Sequence, residues 1–321
     1  MKPHTMLLLI NAALALTPPA AAQNYPSKPI TLVVPFAPGG VTDIMARIAA
    51  KHINTQSGQT VVVENRPGAS GNIGTRSVAR GAPDGYTLGL VTSNLLITNP
   101  SFFADTGFDP VNDLIPVGAI GQFPQLLVTN DQVPPKTLRE FIDLAKASPD
   151  KLSYGSAGRG STSYLAVHTF AFLAGIKLTH VPYRGIAPAL VDLLAGRLQI
   201  FGAGLAVVND HLPSGKLRVL AVGSADRIPQ LPDVPTGTQA GVAGYESNSW
   251  SGIVVPKNTP REIVTRLNGY LASIATDPDA RKQLESVFIN PMSTTSEQLA
   301  KTILREKEAW DRLRSSGIDL N

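Results

Sequence analysis

Two glycine-bearing turns contain the residues best suited to binding chemistry. Residues 38–43 (PGGVTD) and residues 155–163 (GSAGRGSTS) each follow an apolar strand pattern and precede a helix pattern. The start of a helix presents free backbone N–H groups and the positive end of the helix dipole, and both favour an anion. Each turn is therefore a candidate anion site, although the first turn could also be a tight, capped turn without a ligand.

The second turn is similar to a phosphate-binding loop, with one decisive difference. The spacing of Gly155 and Gly160 matches that motif, but Ser161 stands where the motif needs its lysine. Without that charge, nucleotide binding is not expected. A nest of N–H groups and three hydroxyls suits a single carboxylate instead.

The other candidates surround these turns. We expect Asp43 to act as a cap or as an orienting group, because its charge would repel a carboxylate. Arg184 could pair with a second carboxylate and Tyr183 could stack on a ring, or Arg184 could be a surface residue. The predicted ligand-binding residues are Phe36, Ala37, Gly40, Thr42, Asp43, Ser93, Asn94, Ser156, Gly158, Arg159, Gly160, Ser161, Thr162, Ser163, Tyr183 and Arg184.

Catalytic and metal-binding patterns do not appear in the sequence. The chain has no cysteine, and its histidines lack metal-ligand spacing. No nucleophile elbow or H-E-x-x-H motif is present. We predict a protein that is not an enzyme and that uses no cofactor or metal. A net charge of +4, scattered along the chain, also argues against nucleic acid as a partner.

Strand patterns alternate with helix patterns along most of the chain. The first pair is ITLVVPF at residues 30–36 with a helix from residue 42, and a second series begins at residue 125. This order predicts an α/β protein of two lobes, each lobe a mostly parallel sheet flanked by helices, with the ligand cleft between lobes. The predicted bounds are 1–22 for a signal peptide, 23–124 for lobe 1, 125–225 for lobe 2 and 226–321 for the return to lobe 1.

The first residues predict export. Lys2 precedes an apolar stretch at residues 6–16, and Ala20, Ala21 and Ala22 form a small-residue cleavage site. We expect cleavage near Ala22 and a periplasmic, monomeric protein.

The motifs together resemble the Bug-type receptors of tripartite tricarboxylate transporters. The resemblance extends nearly from residue 25 to the end, through PFAPGG at 35–40, ENRPGA at 64–69, PDGYTL at 83–88, SAGRGS at 156–161 and VPYRG at 181–185. It implies the two-lobed periplasmic-binding-protein fold (type II-like). It also implies a binding protein whose two loops grip one ligand carboxylate, with transporter membrane subunits as partners. Arg159, Tyr164 and His168 depart from the family pattern beside the second turn.

The predicted function is capture of a small carboxylate by lobe closure and its delivery to a membrane transporter. The ligand is left open among organic di- or tricarboxylates, aromatic acids and acidic amino acids. The alternatives are a sensor that presents the ligand to a membrane signalling protein and, with least support, a secreted hydrolase.

Overall fold

A computed structural model describes residues 25–317 of the protein. The strands are β1 (Ile30–Val34), β2 (Val61–Asn65), β3 (Thr87–Thr92), β4 (Leu114–Asn130), β5 (Ser153–Ser156), β6 (Thr179–Pro182), β7 (Ile200–Gly204), β8 (Leu217–Val222), β9 (Asn248–Pro256) and β10 (Asn290–Pro291). The helices are α1 (Val41–Ser57), α2 (Asn72–Ala79), α3 (Ser93–Ile97), α4 (Asn99–Phe102), α5 (Leu138–Ala147), α6 (Thr162–Ala174), α7 (Ile186–Leu194), α8 (Leu205–Val208), α9 (Arg261–Ile274), α10 (Pro278–Ser286) and α11 (Ser296–Ser315). None of these helices is long and apolar enough to span a bilayer.

The sheet of the first lobe is built around β1. This strand pairs in parallel with β2 on one side and β3 on the other. Leu32 belongs to the same buried cluster as Met45 of α1, whereas its neighbour Val33 belongs to the cluster that contains Leu95 and Trp250. Successive side chains of a strand point to opposite faces, so β1 is covered on both faces, as its continuous apolar run predicts.

The 17-residue strand β4 runs through both lobes. Its first part pairs with β9 of the first lobe up to Pro124 and Asn248, and its second part pairs with β7 from Gln125 and Gly204 onward. Both pairings are antiparallel, so antiparallel strands join the parallel strands of the two lobes. The sequence predicted only the second part as a strand. The point where β4 changes partners, between residues 124 and 125, is where the sheet passes from one lobe to the other.

The second lobe contains a parallel group, β6-β5-β7, and a core of large aromatic residues. Tyr245 lies in this core, with its ring 6.0 Å from that of Phe170. The chain returns to the first sheet with β9 at Asn248. The bounds 23–124, 125–225 and 226–321 stay a prediction, and the predicted signal peptide lies outside the described residues.

Replacing Tyr245 tests whether the segment before β9 stabilises the second lobe. The side chain is fully buried, its hydroxyl donates to the carbonyl of Ala166, and Gly237 packs against its ring. Tyr245→Ala should lower the free energy of unfolding by about 3–5 kcal/mol, because it leaves a large cavity. Denaturant unfolding measures this loss. Val191→Ala, at a side chain that is 61% exposed, should change stability by less than about 0.5 kcal/mol. Equal losses in the two variants would contradict the packing.

Candidate functional site between the two lobes

The two predicted turns line one cavity, called here the first cavity, with a volume of about 50 Å³. The first lobe contributes the start of α1, and the second lobe contributes the turn before α6. The lining residues are Phe36, Ala37, Gly40, Val41, Thr42, Phe123, Gln125, Ala157, Ser161, Thr162, Ser163, Ile186, Ala203, Gly204 and Val207. The structure therefore brings seven of the predicted residues together: Phe36, Ala37, Gly40, Thr42, Ser161, Thr162 and Ser163.

The start of α1 offers unpaired backbone donors to this cavity. Gly40 is the N-cap residue, and it has no side chain to cap the helix. The first intrahelical bond runs from the N–H of Ile44 to the carbonyl of Gly40. The N–H groups of Val41, Thr42 and Asp43 therefore have no acceptor inside the helix. Val41 and Thr42 line the cavity, so this helix end can donate to a bound anion.

The carboxylate of Asp43 is held away from the position of an anion. It accepts hydrogen bonds from the backbone N–H of Gly39 (3.1 Å), from Arg47 (3.0 and 3.1 Å) and from Asn65 (2.9 Å). Burial alone would raise the pKa of Asp43, but these three donors outweigh burial and lower the pKa below its ordinary value. Through these bonds Asp43 fixes the conformation of the first turn, which is the orienting role that the sequence suggested.

The serines of the second turn serve mainly to order it. The hydroxyl of Ser161 accepts from the N–H of Tyr164 at 3.2 Å and thereby caps α6. The hydroxyl of Ser163 accepts from the N–H of Ala157 at 3.0 Å and lies 3.1 Å from that of Ser161. These bonds leave the N–H groups of Thr162 and Ser163 without an acceptor inside the helix. The donors that remain for a ligand are therefore backbone groups, the hydroxyl of Thr162, and whichever of the Ser161 and Ser163 hydroxyls does not donate to the other.

Two predicted residues of the second turn, Ser156 and Gly158, do not line the first cavity. Ser156 is fully buried and shares a hydrogen bond of 2.6 Å with Nε2 of His180. Burial, together with Arg159 and His168, lowers the pKa of His180 to about 4, so this histidine is neutral at neutral pH. The hydroxyl of Ser156 also accepts from the N–H of Gly158 at 3.0 Å. These contacts shape the turn from inside the second lobe.

Gly160 makes a contact between the lobes. Its carbonyl accepts from Nδ2 of Asn94 at 2.8 Å. It has a positive φ of 75°, and a Cβ atom at this position would lie 2.5 Å from Oδ1 of Asn99. Because only glycine combines this backbone with this close approach, the second turn can rest against α3 and α4 of the first lobe.

Two further cavities adjoin the first. The second cavity, of about 400 Å³, is lined by Ser93, Asn94, Ile97, Thr98, Gln125, Thr162, Leu165, Thr169, Glu246, Ser247, Asn248, Ser249, Glu306, Ala309, Trp310 and Leu313. The third cavity, of about 550 Å³, is lined by Phe36, Pro67, Gly68, Ala69, Ser70, Gly71, Phe103, Ala157, Gly158, Arg159, Pro182, Tyr183 and Arg184. The predicted residues Ser93 and Asn94 thus lie at the second cavity, and Gly158, Arg159, Tyr183 and Arg184 lie at the third. Tyr183 is engaged there, because its hydroxyl donates to Asp192 at 2.6 Å.

Sequence reasoning missed Gln125. Its side chain is 2% exposed and lines both the first and the second cavity. Its backbone N–H donates to the carbonyl of Ser247 at 2.7 Å. A single amide inside the apolar run FPQLLV at residues 123–128 was the available signal, since a buried polar group is rarely left without a partner.

Comparisons with known proteins agree on one family. The family model of the tripartite tricarboxylate transporter family receptor matches residues 45–316. The chain belongs to this receptor family. Protein BugT of Bordetella pertussis is 34% identical over 300 residues, which cover 93% of this chain and 92% of BugT.

Solved structures of the receptor family share the fold. An R. palustris protein solved with adipate has a TM-score of 0.87 and 35% identity, covering 91% of this chain and 97% of that protein. MatC from Rhodopseudomonas palustris, solved with bound malate, has a TM-score of 0.86 and 31% identity, covering 90% and 99% of the two chains. These neighbours confirm the predicted resemblance and the two-lobed α/β fold class. Family and neighbours are substrate-binding proteins, not enzymes, as the sequence predicted.

Replacing Asp43 tests how the first turn of the receptor is held. Asp43→Asn should lower the free energy of unfolding at pH 7 by about 1.5–3 kcal/mol, since hydrogen bonds to a charged group contribute about this much. Asp43 has a lowered pKa in the folded protein, so its stabilisation is complete above the ordinary value of about 4 and is lost as the pH falls through the folded value. Denaturant unfolding at pH 7 and pH 3 should show the gap between wild type and variant shrinking in acid. A gap of constant size would contradict the role of the carboxylate.

Proposed function

We propose that this receptor captures a small carboxylate in the first cavity by lobe closure and delivers it, in the periplasm, to the membrane subunits of a tripartite tricarboxylate-type transporter. The ligand is expected to contact the N–H groups at the starts of α1 and α6. Relatives solved with adipate and with malate support a carboxylate as the ligand class. The receptor is proposed to act as a monomer.

The observation that carries this proposal is the convergence of two helix starts from opposite lobes on one cavity. Gly40 and Thr42 from the first lobe and Thr162 and Ser163 from the second lobe line it. None of its described lining residues carries a charged side chain. The favourable field for an anion therefore comes from the helix dipoles and backbone N–H groups. A carboxylate has two oxygens, so it can accept from both helix starts at once.

Lobe closure follows from the same geometry. A ligand that bonds to both lobes binds the closed arrangement more strongly than an open one, and it shifts the population accordingly. The interlobe contact of Gly160 with Asn94 forms only when the second turn lies against α3. Capture and closure are thus proposed to be one event.

A thermal-shift screen over aliphatic dicarboxylates, aromatic acids and acidic amino acids tests the proposal. A ligand at a hundredfold excess over its dissociation constant should stabilise the protein by about 3 kcal/mol, seen as a rise in Tm. Isothermal titration should then give a micromolar or lower dissociation constant, which corresponds to a binding free energy of about −8 kcal/mol or more favourable. If the folded protein bound none of these acids, the proposal would be refuted.

Gly40→Leu should remove binding without unfolding the protein. Gly40 has an ordinary φ of −87°, and a Cβ atom there would lie 3.4 Å from Ile186 across the cleft. A leucine side chain would therefore fill the cavity and hold the lobes apart, so the ligand-induced rise in Tm should vanish. The matched control is Gly269→Leu in α9, where a Cβ atom meets nothing within 4 Å. Retained binding in Gly40→Leu would place the ligand elsewhere.

A further inference from the structure

The second cavity continues from the first around two shared residues. Gln125 and Thr162 line both cavities. Gln125 is 2% exposed. Its amide and the hydroxyl of Thr162 place polar groups where the two cavities meet, and a ligand there can bond to them. A ligand that starts at the two helix ends and extends past Gln125 enters the second cavity.

The charge of the second cavity differs from that of the first. Among its described lining residues, the charged ones are Glu246 and Glu306, and neither lysine nor arginine is present. Glu246 is exposed at the rim, whereas Glu306 of α11 is half-buried. The field at this end of the cleft therefore repels a second carboxylate and favours a cation.

Glu306 is held in place but not neutralised. Nε1 of Trp250 donates to its two carboxylate oxygens at 3.0 and 3.2 Å. No lysine or arginine in the described chain forms a salt bridge with it. Burial raises the pKa of Glu306 above its ordinary value, although the bond from Trp250 and the charge of Arg305 both act to lower it. These two groups therefore compensate the negative charge only in part. Positioned carboxylates of this kind bind cations well, because the cation removes an existing electrostatic cost.

We infer that the second cavity receives the far end of the ligand and that this end carries an ammonium group, which pairs with Glu306. The inference rests on the proposed function, and it names the substrate class as carboxylates with a terminal amine. The apolar residues Ile97, Leu165 and Leu313 provide a surface for the carbon chain between the two charged ends.

The third cavity offers the opposite chemistry, and the structure favours it less. Arg159 and Arg184 line it, so a dicarboxylate would place its second carboxylate there. The third cavity shares only Phe36 and Ala157 with the first, and neither side chain offers a polar group. Arg184 is exposed to solvent, which weakens any ion pair that it forms. The polar residues Gln125 and Thr162 join the first cavity to the second cavity instead.

Isothermal titration with three ligand series of four to six carbons tests the inference: ω-amino acids, α,ω-dicarboxylates and unbranched monocarboxylates. For the five-carbon members, 5-aminopentanoate should bind about tenfold or more tightly than glutarate and than pentanoate, as expected when a partly buried charge gains a partner. Glu306→Gln should reduce the affinity for 5-aminopentanoate to that for pentanoate. It should leave the affinity for pentanoate nearly unchanged.

The controls separate this inference from the proposed function. Glu306→Gln can still accept the bond from Trp250, and Glu308→Gln, an exposed position on the same helix, should alter neither affinity. Tight binding of dicarboxylates alone, or an unchanged ligand preference in Glu306→Gln, would overturn the inference and leave the proposed function standing. If no member of any series bound, the inference would be overturned, and the thermal-shift screen with aromatic acids and acidic amino acids would decide the proposed function separately.

Discussion

The ligand cleft depends on backbone N–H groups that have no acceptor in their own helices. A glycine at the N-cap of α1 leaves the first turn of that helix uncapped, and the second turn uses its serines to order itself while leaving two N–H groups available. An anion held by such groups needs no cationic side chain nearby. The charged residue closest in sequence, Asp43, would repel a bound anion if its carboxylate pointed into the cavity. Its bonds to Arg47 and Asn65 hold it outside.

The second constraint on the cleft is the strand β4, which is shared by the sheets of both lobes. It belongs to both sheets, and it changes partners from β9 to β7 beside the first cavity. Gln125 follows this point directly, so its carboxamide lies at the base of the cleft while its backbone bonds to Ser247 of the second crossing segment. Under the proposed function, movement of the lobes and contact with the ligand involve the same short stretch of chain. The proposal thus joins ligand binding to the arrangement of the lobes through one buried polar residue.

The three cavities differ in the charge of their linings. The first has no charged side chain, the second has carboxylates, and the third has arginines. Under the proposed function, one carboxylate of the ligand lies in the first cavity, which both helix starts line. The far end depends on which neighbouring cavity it enters. Relatives that take dicarboxylates therefore do not decide the ligand of this chain, in which Glu306 faces the second cavity.

The sequence by itself determined the α/β class, the two glycine-bearing turns and the orienting role of Asp43, because strand and helix periods and N-terminal caps are local properties. Seven of the sixteen predicted ligand residues line the first cavity, and they are those at the starts of α1 and α6 or just before them. Only the tertiary structure showed that Gly160 contacts the other lobe, that Tyr183 bonds to Asp192, and that Gln125 and Glu306 face the cleft. These positions depend on contacts between residues far apart in the chain. No local pattern of residue types encodes which of them meet when two lobes are joined through β4 and β9.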